Sequence, residues 1–180
     1  MSTSPRTGTS PSTGPGTAVP VRRATTADIP ALVRLRASML EAMGVDTGGP
    51  DAPWREAAAR WFARRLPGDR VAAFVADDPG PGVVACAVGT CDAHLPGPAD
   101  AGGLHGHLSN VSTDARFRRL GHARRCVEAL LRWFEEETPV TAVDLNATEE
   151  GAGLYTSPGF APPRYPTLQG RGTRPGRPGP

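Results

Sequence analysis

Val111-Ser112-Thr113-Asp114-Ala115-Arg116-Phe117-Arg118-Arg119-Leu120-Gly121-His122-Ala123 joins a strand to a helix through a turn rich in arginine. Upstream, His105 to Thr113 has strand character with Leu108 and Val111 as apolar anchors. Downstream, Ala123, Val127, Leu130, Leu131 and Phe134 recur at helical spacing from Gly121 to Glu137, and Pro139 stops the run. A helix that opens directly after a strand aims unpaired N–H groups and the positive end of its dipole at the turn, which favours an anion there. Gly121 lets the backbone come close, and the flanking arginines suit a pyrophosphate through charge-assisted hydrogen bonds. Taken alone, the arginine run reads equally well as a solvated helix face. Two nucleotide-binding readings fail: the turn lacks three spaced glycines, and a chain without lysine has no Gly-Lys-Ser or Gly-Lys-Thr loop.

Working outward, Val21 to Ala24 predicts a short strand, and Thr25-Thr26-Ala27-Asp28-Ile29-Pro30 carries helix-start chemistry. A helix is expected from Asp28 to Met43, with Leu32, Val33, Leu35 and Met39 on its buried side and Gly44 beyond its end. A second is expected from Pro53 to Arg65, where Trp54 and Trp61 share a face as core or as the wall of a substrate pocket. Val71 to Ala76 and Val83 to Cys91 read as a hairpin, the second strand apolar enough to lie centrally in a sheet. Val140 to Leu145 reads as a further buried strand and Glu149 to Tyr155 as a short helix. The order is mixed α/β.

Composition bounds the rest. Residues 1–19 are almost wholly Ser, Thr, Gly and Pro and are expected to be a disordered tail; residues 166–180, rich in Pro, Gly and Arg, are expected to be a flexible one. Between them residues 20–165 suffice for one domain. The absence of an eighteen-residue apolar run and of a secretory signal pattern leads to the expectation of a cytoplasmic chain with no membrane partner. Cys86, Cys91 and Cys126 form no even framework, so no disulfide is expected. All basic residues are arginine, five of them within 116–125, yet the formal net charge is only +2.

The stretch from Val111 to Ala123 resembles the strand, turn and Gln/Arg-x-x-Gly-x-Gly/Ala loop of the GNAT (GCN5-related N-acetyltransferase) family. Leu154-Tyr155-Thr156-Ser157-Pro158-Gly159-Phe160, about thirty residues on, resembles that family's Leu-Tyr-x-x-x-Gly-Phe segment. The resemblance spans residues 21 to 160 and implies a GNAT fold, a splayed mixed central β-sheet flanked by helices, with the co-substrate acetyl-CoA between two parallel strands. By the same resemblance, backbone groups of Val111 and Thr113, beside Ser112, hold the pantetheine arm. Amides from Arg119 to Ala123, flanked by Arg118 and Arg124, hold the pyrophosphate, and Thr148 stands where many relatives have an asparagine. Three prolines after Phe160 leave the fold's final hairpin short or irregular.

The implied reaction is attack of a neutral amine on a thioester. An alkyl ammonium with a pKa near ~10.4 is neutral in roughly one molecule of a few thousand at pH 7, so a proton acceptor is needed. His107 stands about where relatives place a carboxylate base, and histidine is the residue type suited to accepting a proton near neutrality. The alternative is a partly exposed strand histidine without a role, with Asp92, Asn110 or Glu149 orienting water. Tyr155 matches the tyrosine that protonates the departing thiolate, against the reading of a packed helix-end residue. His105 and His107 share a strand face, but no neighbouring Cys, Asp or Glu pattern completes a metal site, so no metal is expected.

The leading expectation is therefore an acetyl-CoA-dependent N-acetyltransferase acting on a primary amine of a small molecule or peptide. A catalytically weak or inactive acyl-CoA-binding regulatory homologue is the alternative. A nucleic-acid-binding module using the 116–125 arginines is the third reading, and the short patch without interleaved aromatics argues against it. The acceptor is unnamed by any motif, and a homodimer stays open.

Overall fold

The computed structural model describes residues 19–98, 100–156, 158–164 and 167–168. The two expected tails lie outside them almost entirely. The chain separates into two compact units, Met1–Leu145 and Asn146–Pro180.

In the first unit, β1 (Val21–Arg23), α1 (Ile29–Ala42), α2 (Pro53–Arg65), β2 (Val71–Asp78), β3 (Gly82–Ala93), β4 (Leu104–Thr113), α3 (His122–Glu137) and β5 (Val143–Leu145) follow in order. The strands form one open sheet in the order β1-β2-β3-β4-β5. Its first three pairings are antiparallel and β4–β5 is parallel. The parallel pair takes α3 as its crossover, as parallel strands require. β3, apolar along nearly its whole length, is central as its composition predicts.

One face of the sheet packs on α1 and α2 through Leu32, Leu35, Phe62, Val75 and Val88. The other face receives α3, whose Leu130 and Phe134 press so closely on Gly89 that a Cβ there would lie 2.7 Å from the Phe134 ring. Gly106 is hemmed in similarly by Phe134 and Val143. Small residues at these two strand positions let the helix approach, burying apolar area that stabilises the fold by roughly 25 cal/mol per Å².

The start of α1 is pinned electrostatically. Thr25 forms a capping box with Asp28, whose carboxylate also accepts two bonds from Arg22 at 2.8 and 2.7 Å. Arg22 donates to Asp77 of β2 as well, at 2.8 Å. The guanidinium, supported by the Thr25 N–H and opposed by burial, holds Asp28 at about 2 against an ordinary 3.8. A depressed carboxylate contributes stability fully above its unfolded value and loses it as pH falls through the folded one. Asp28→Asn should therefore cost about 2 kcal/mol at pH 7. In urea unfolding the gap to wild type should close between roughly pH 4 and pH 2. A gap unchanged over that range would refute this assignment.

Two elements are shorter than predicted. Only Val143–Leu145 of the 140–145 segment is strand, pairing in parallel with Gly106–Leu108. The segment 149–155 forms a single 3-10 turn, Ala152–Leu154, in the second unit, where Gly151 and Gly153 oppose a longer helix. No strand follows Phe160 among the described residues. No helix of the described residues is long and apolar enough to cross a membrane.

Candidate active site

β4 changes character halfway along. Cys86 of β3 pairs with Ser112 and Val88 with Ser109, so Ala87 alone opposes both Asn110 and Val111. This is a β-bulge, and Asn110 occupies it with φ 50, a left-handed conformation that asparagine tolerates better than most residues. The extra residue reverses the alternation of side chains. Gly106 and Leu108 face α3, whereas Asn110 and Ser112 face α1: Asn110 Oδ1 accepts from Arg36, and Ser112 donates to the Leu35 carbonyl at 2.9 Å. The bulge also bends the strand, and β5 pairs only below it. From Ser109 to Thr113 the β5-side edge of β4 has no strand partner among the described residues, about 17 Å of backbone at strand rise. Val111, Ser112 and Thr113 all lie on this stretch.

The chain then turns through Ala115–Phe117 into a loop that opens α3. Arg119 (φ 65) and Gly121 (φ 79) are both left-handed, and Gly121 is the N-cap with no side-chain bond to the helix start. The first helical bond closes from Arg125 N–H to the Gly121 carbonyl, so the amides of His122 and Ala123 have no intrahelical partner. Arg118, Arg119 and Leu120 are exposed around them. His122 turns its ring inward: Nδ1 accepts from Arg125 at 2.8 Å, and burial together with Arg125 lowers its pKa. The neutral ring must then carry its proton on Nε2, a buried atom without a hydrogen-bond partner among the described residues. Arg116 is occupied with Asp114 in the turn, and Arg125 with the Val19 carbonyl ahead of β1 and the His122 ring. A left-handed loop, uncapped amides and exposed guanidinium groups fit a pyrophosphate.

On the α1/α2 face, His105 and His107 meet a residue that sequence reading passed over. Asp144 of β5 lies in parallel register with His107, and its two carboxylate oxygens bond His105 Nε2 at 3.0 Å and His107 Nδ1 at 2.5 Å. Because a carboxylate only accepts, neutral His107 carries its proton on Nδ1 and leaves Nε2 as a lone-pair acceptor. Both histidines are 35% exposed. No group of three or more His, Cys, Asp or Glu among the described residues is arranged to hold a metal ion. Of the water-orienting alternatives, Asp92 accepts from Thr90 and Asn110 is committed to the bulge.

On the same face a cavity of about 430 Å³ lies between the helices and the sheet. Trp54 and Trp61 of α2 line it opposite Thr90, Ser109 and Asn110, with Arg36 of α1. The Trp54 indole N–H donates to the Thr47 carbonyl at 2.7 Å, and Trp61 stands edge-on to Phe62, so both rings are fixed as walls.

In the second unit, Thr148 Oγ1 accepts from the Gly151 N–H at 3.2 Å and so caps its own turn. Tyr155 is buried, its ring edge-on to Phe160 at 6.1 Å, and burial raises its pKa and keeps the phenol protonated near neutrality. The Phe160 N–H bonds the Tyr155 carbonyl at 3.1 Å, and Gly159 (φ 93) supplies the left-handed turn between them.

A family model described as acetyltransferase (GNAT) family matches residues 37–160. No curated protein matches the chain. Among solved structures, a predicted acetyltransferase with acetyl-CoA from Clostridium acetobutylicum aligns with a TM-score of 0.72 at 22% identity, over 83% of this chain and 95% of that one. Glucosamine-6-phosphate N-acetyltransferase from Arabidopsis thaliana aligns at 0.64 and 19% identity, over 83% and 96%. AAC(6')-Iy in complex with the bisubstrate analogue CoA-S-monomethyl-acetylneamine aligns at 0.62 and 18% identity, over 84% and 97%. Likeness at these identities speaks to the fold.

Proposed function

Because the chain belongs to the acetyltransferase (GNAT) family, we propose that it transfers the acetyl group of acetyl-CoA directly to a primary amine. The observation that carries this reading is the bulge of β4. It leaves the strand edge from Ser109 to Thr113 without a strand partner, and the same strand leads into the left-handed loop that opens α3. Bound acetyl-CoA supplies an activated acetyl carbon. In this reading the open edge, at Val111 and Thr113, holds the amide groups of the pantetheine arm. Arg118, Arg119 and the amides through Ala123 hold the pyrophosphate, with Leu120 covering the turn and Arg124 one turn into the helix. Family resemblance alone assigns Thr148 to cofactor binding.

The acceptor enters the cavity walled by Trp54 and Trp61, on the sheet face that also carries His107. His107 Nε2 takes a proton from the ammonium, directly or through water, and Asp144 holds the ring in the required tautomer. The amine nitrogen then bonds the acetyl carbon, and a backbone N–H of the β4 edge stabilises the oxyanion as it forms. The carbon–sulfur bond breaks with its electron pair on sulfur as the carbonyl reforms, the Tyr155 hydroxyl gives the thiolate a proton, and the nitrogen loses its second proton to solvent water, which restores the phenol and leaves the neutral amide. The Tyr155 phenol, kept protonated by its burial, has a proton to give.

Release of free coenzyme thiol from acetyl-CoA across a panel of primary amines tests the reading. Wild type should release thiol with at least one amine. Tyr155→Phe should lower kcat by about 10- to 100-fold while leaving acetyl-CoA affinity unchanged. Cofactor binding with no thiol release on any amine would instead favour the regulatory homologue, and unchanged turnover in Tyr155→Phe would remove its acid role.

A further inference from the structure

Arg36 is the one charged side chain among the described residues lining the 430 Å³ cavity. Its Nη1 donates to Asn110 Oδ1 at 3.2 Å, which fixes the guanidinium beside the β4 bulge. No carboxylate among the described residues forms an ion pair with it. Guanidinium does not lose its charge in proteins, so the cavity presents a permanent cation with no internal counter-ion. The rest of the lining is aromatic, aliphatic or neutral polar, with the two tryptophan rings as its largest surfaces.

Each feature selects among amines. A polyamine would bring a second ammonium into a space that offers like charge and no acid, which is unfavourable at these separations. An amine with a carboxylate gains a charge-assisted bond from Arg36. A single guanidinium that already spends one nitrogen on Asn110 matches a monoanionic carboxylate better than a phosphate dianion, which ordinarily draws more than one cation. Trp54 and Trp61 offer flat apolar faces to a ring or a branched aliphatic group. The volume lies in the lower part of the range of small-molecule pockets, about 300–1,000 Å³.

We propose that the acceptor is an amino-acid-like amine: one molecule carrying a primary amine, a carboxylate for Arg36 and an apolar group of aromatic size for Trp54 and Trp61. The assignment rests on reading this cavity as the acceptor site of an amine acetyltransferase. Arg36 then acts as a specificity-determining residue, because its bond to Asn110 anchors the carboxylate next to the strand edge assigned to the thioester.

The test is titration of the full chain, followed by tryptophan fluorescence, with matched pairs that differ only in the carboxylate: L-phenylalanine against phenethylamine, L-tryptophan against tryptamine, L-leucine against isopentylamine, and spermidine as the polycation. Indole ligands are followed by calorimetry. In at least one pair the carboxylate-bearing member should bind about tenfold or more tightly. Arg36→Gln should abolish that preference and Arg36→Lys should restore part of it, with both variants melting close to wild type. Equal or tighter binding of every decarboxylated twin, preferential spermidine binding, no binding by any member, or a preference that survives in Arg36→Gln would each overturn the assignment. Thiol release on spermidine without carboxylate preference would sink this inference and leave the acetyltransferase reading standing. Carboxylate-selective, Arg36-dependent binding with no thiol release on any amine would do the reverse.

Discussion

His107→Gln is expected to lower kcat by about 10²- to 10³-fold while the KM for acetyl-CoA stays within about twofold. Glutamine keeps much of the size and polarity of the imidazole but cannot accept and hold a proton near pH 7. The structure sharpens this prediction beyond what a lone strand histidine allows. Asp144 accepts from Nδ1, so the remaining lone pair sits on Nε2 of a ring that cannot rotate without losing the bond. Asp144→Asn should therefore lower kcat as well, by roughly tenfold, since an amide can hold the ring in either tautomer. The double variant should be no slower than His107→Gln alone, because both changes act on the same proton transfer. Steady-state kinetics with a saturating amine decides it, and an unchanged kcat in His107→Gln would return the role to solvent water.

Gly121→Val should weaken acetyl-CoA binding by at least about tenfold. A Cβ at this position meets nothing within 4 Å, so crowding is not the cause. The cause is φ +79, a conformation that costs an L residue roughly 1–2 kcal/mol and a β-branched one the most. The loop relieves that strain by moving, and any movement displaces the amides of His122 and Ala123 from the position proposed to bind pyrophosphate. Gly82→Val is the matched control: it has the same φ of +79 and open space, but is the first residue of β3, paired with Asp78 where the hairpin closes. Both variants should melt several degrees lower, about 2–4 °C per kcal/mol for a chain of this size, and only Gly121→Val should lose affinity in calorimetric titration. Equal loss in both, or in neither, would refute a binding role for the loop.

The sequence carried the framework because its signals are local. The period of α1 and α2, the unbroken apolar run of β3 and the start of α3 at Gly121 each depend on residues within one or two turns, and all appear where they were expected. The parallel placement of β4 and β5 followed from family resemblance, since neither strand names its neighbour. What escaped depends on register. Asp144 reads as a polar residue in a buried strand until β5 is laid against β4, where it lands opposite His107. Arg36 reads as one more charge on α1 until the bulge turns Asn110 toward it. The bulge itself had one trace, an asparagine inside a strand, and asparagine is the non-glycine residue best suited to positive φ. Trp54 and Trp61 left core and pocket wall open from spacing alone, and the structure gives both roles: the rings pack against the core and line the cavity.

The central claim is that the bulged strand and the loop from Arg118 to Ala123 together bind acetyl-CoA. Its most direct test is thermal unfolding of the full chain at increasing acetyl-CoA. A ligand that binds only the native state at a hundred times its Kd adds about 2.7 kcal/mol. The melting temperature should therefore climb with cofactor concentration by about 5–10 °C. A melting temperature that does not move at millimolar acetyl-CoA would contradict the account.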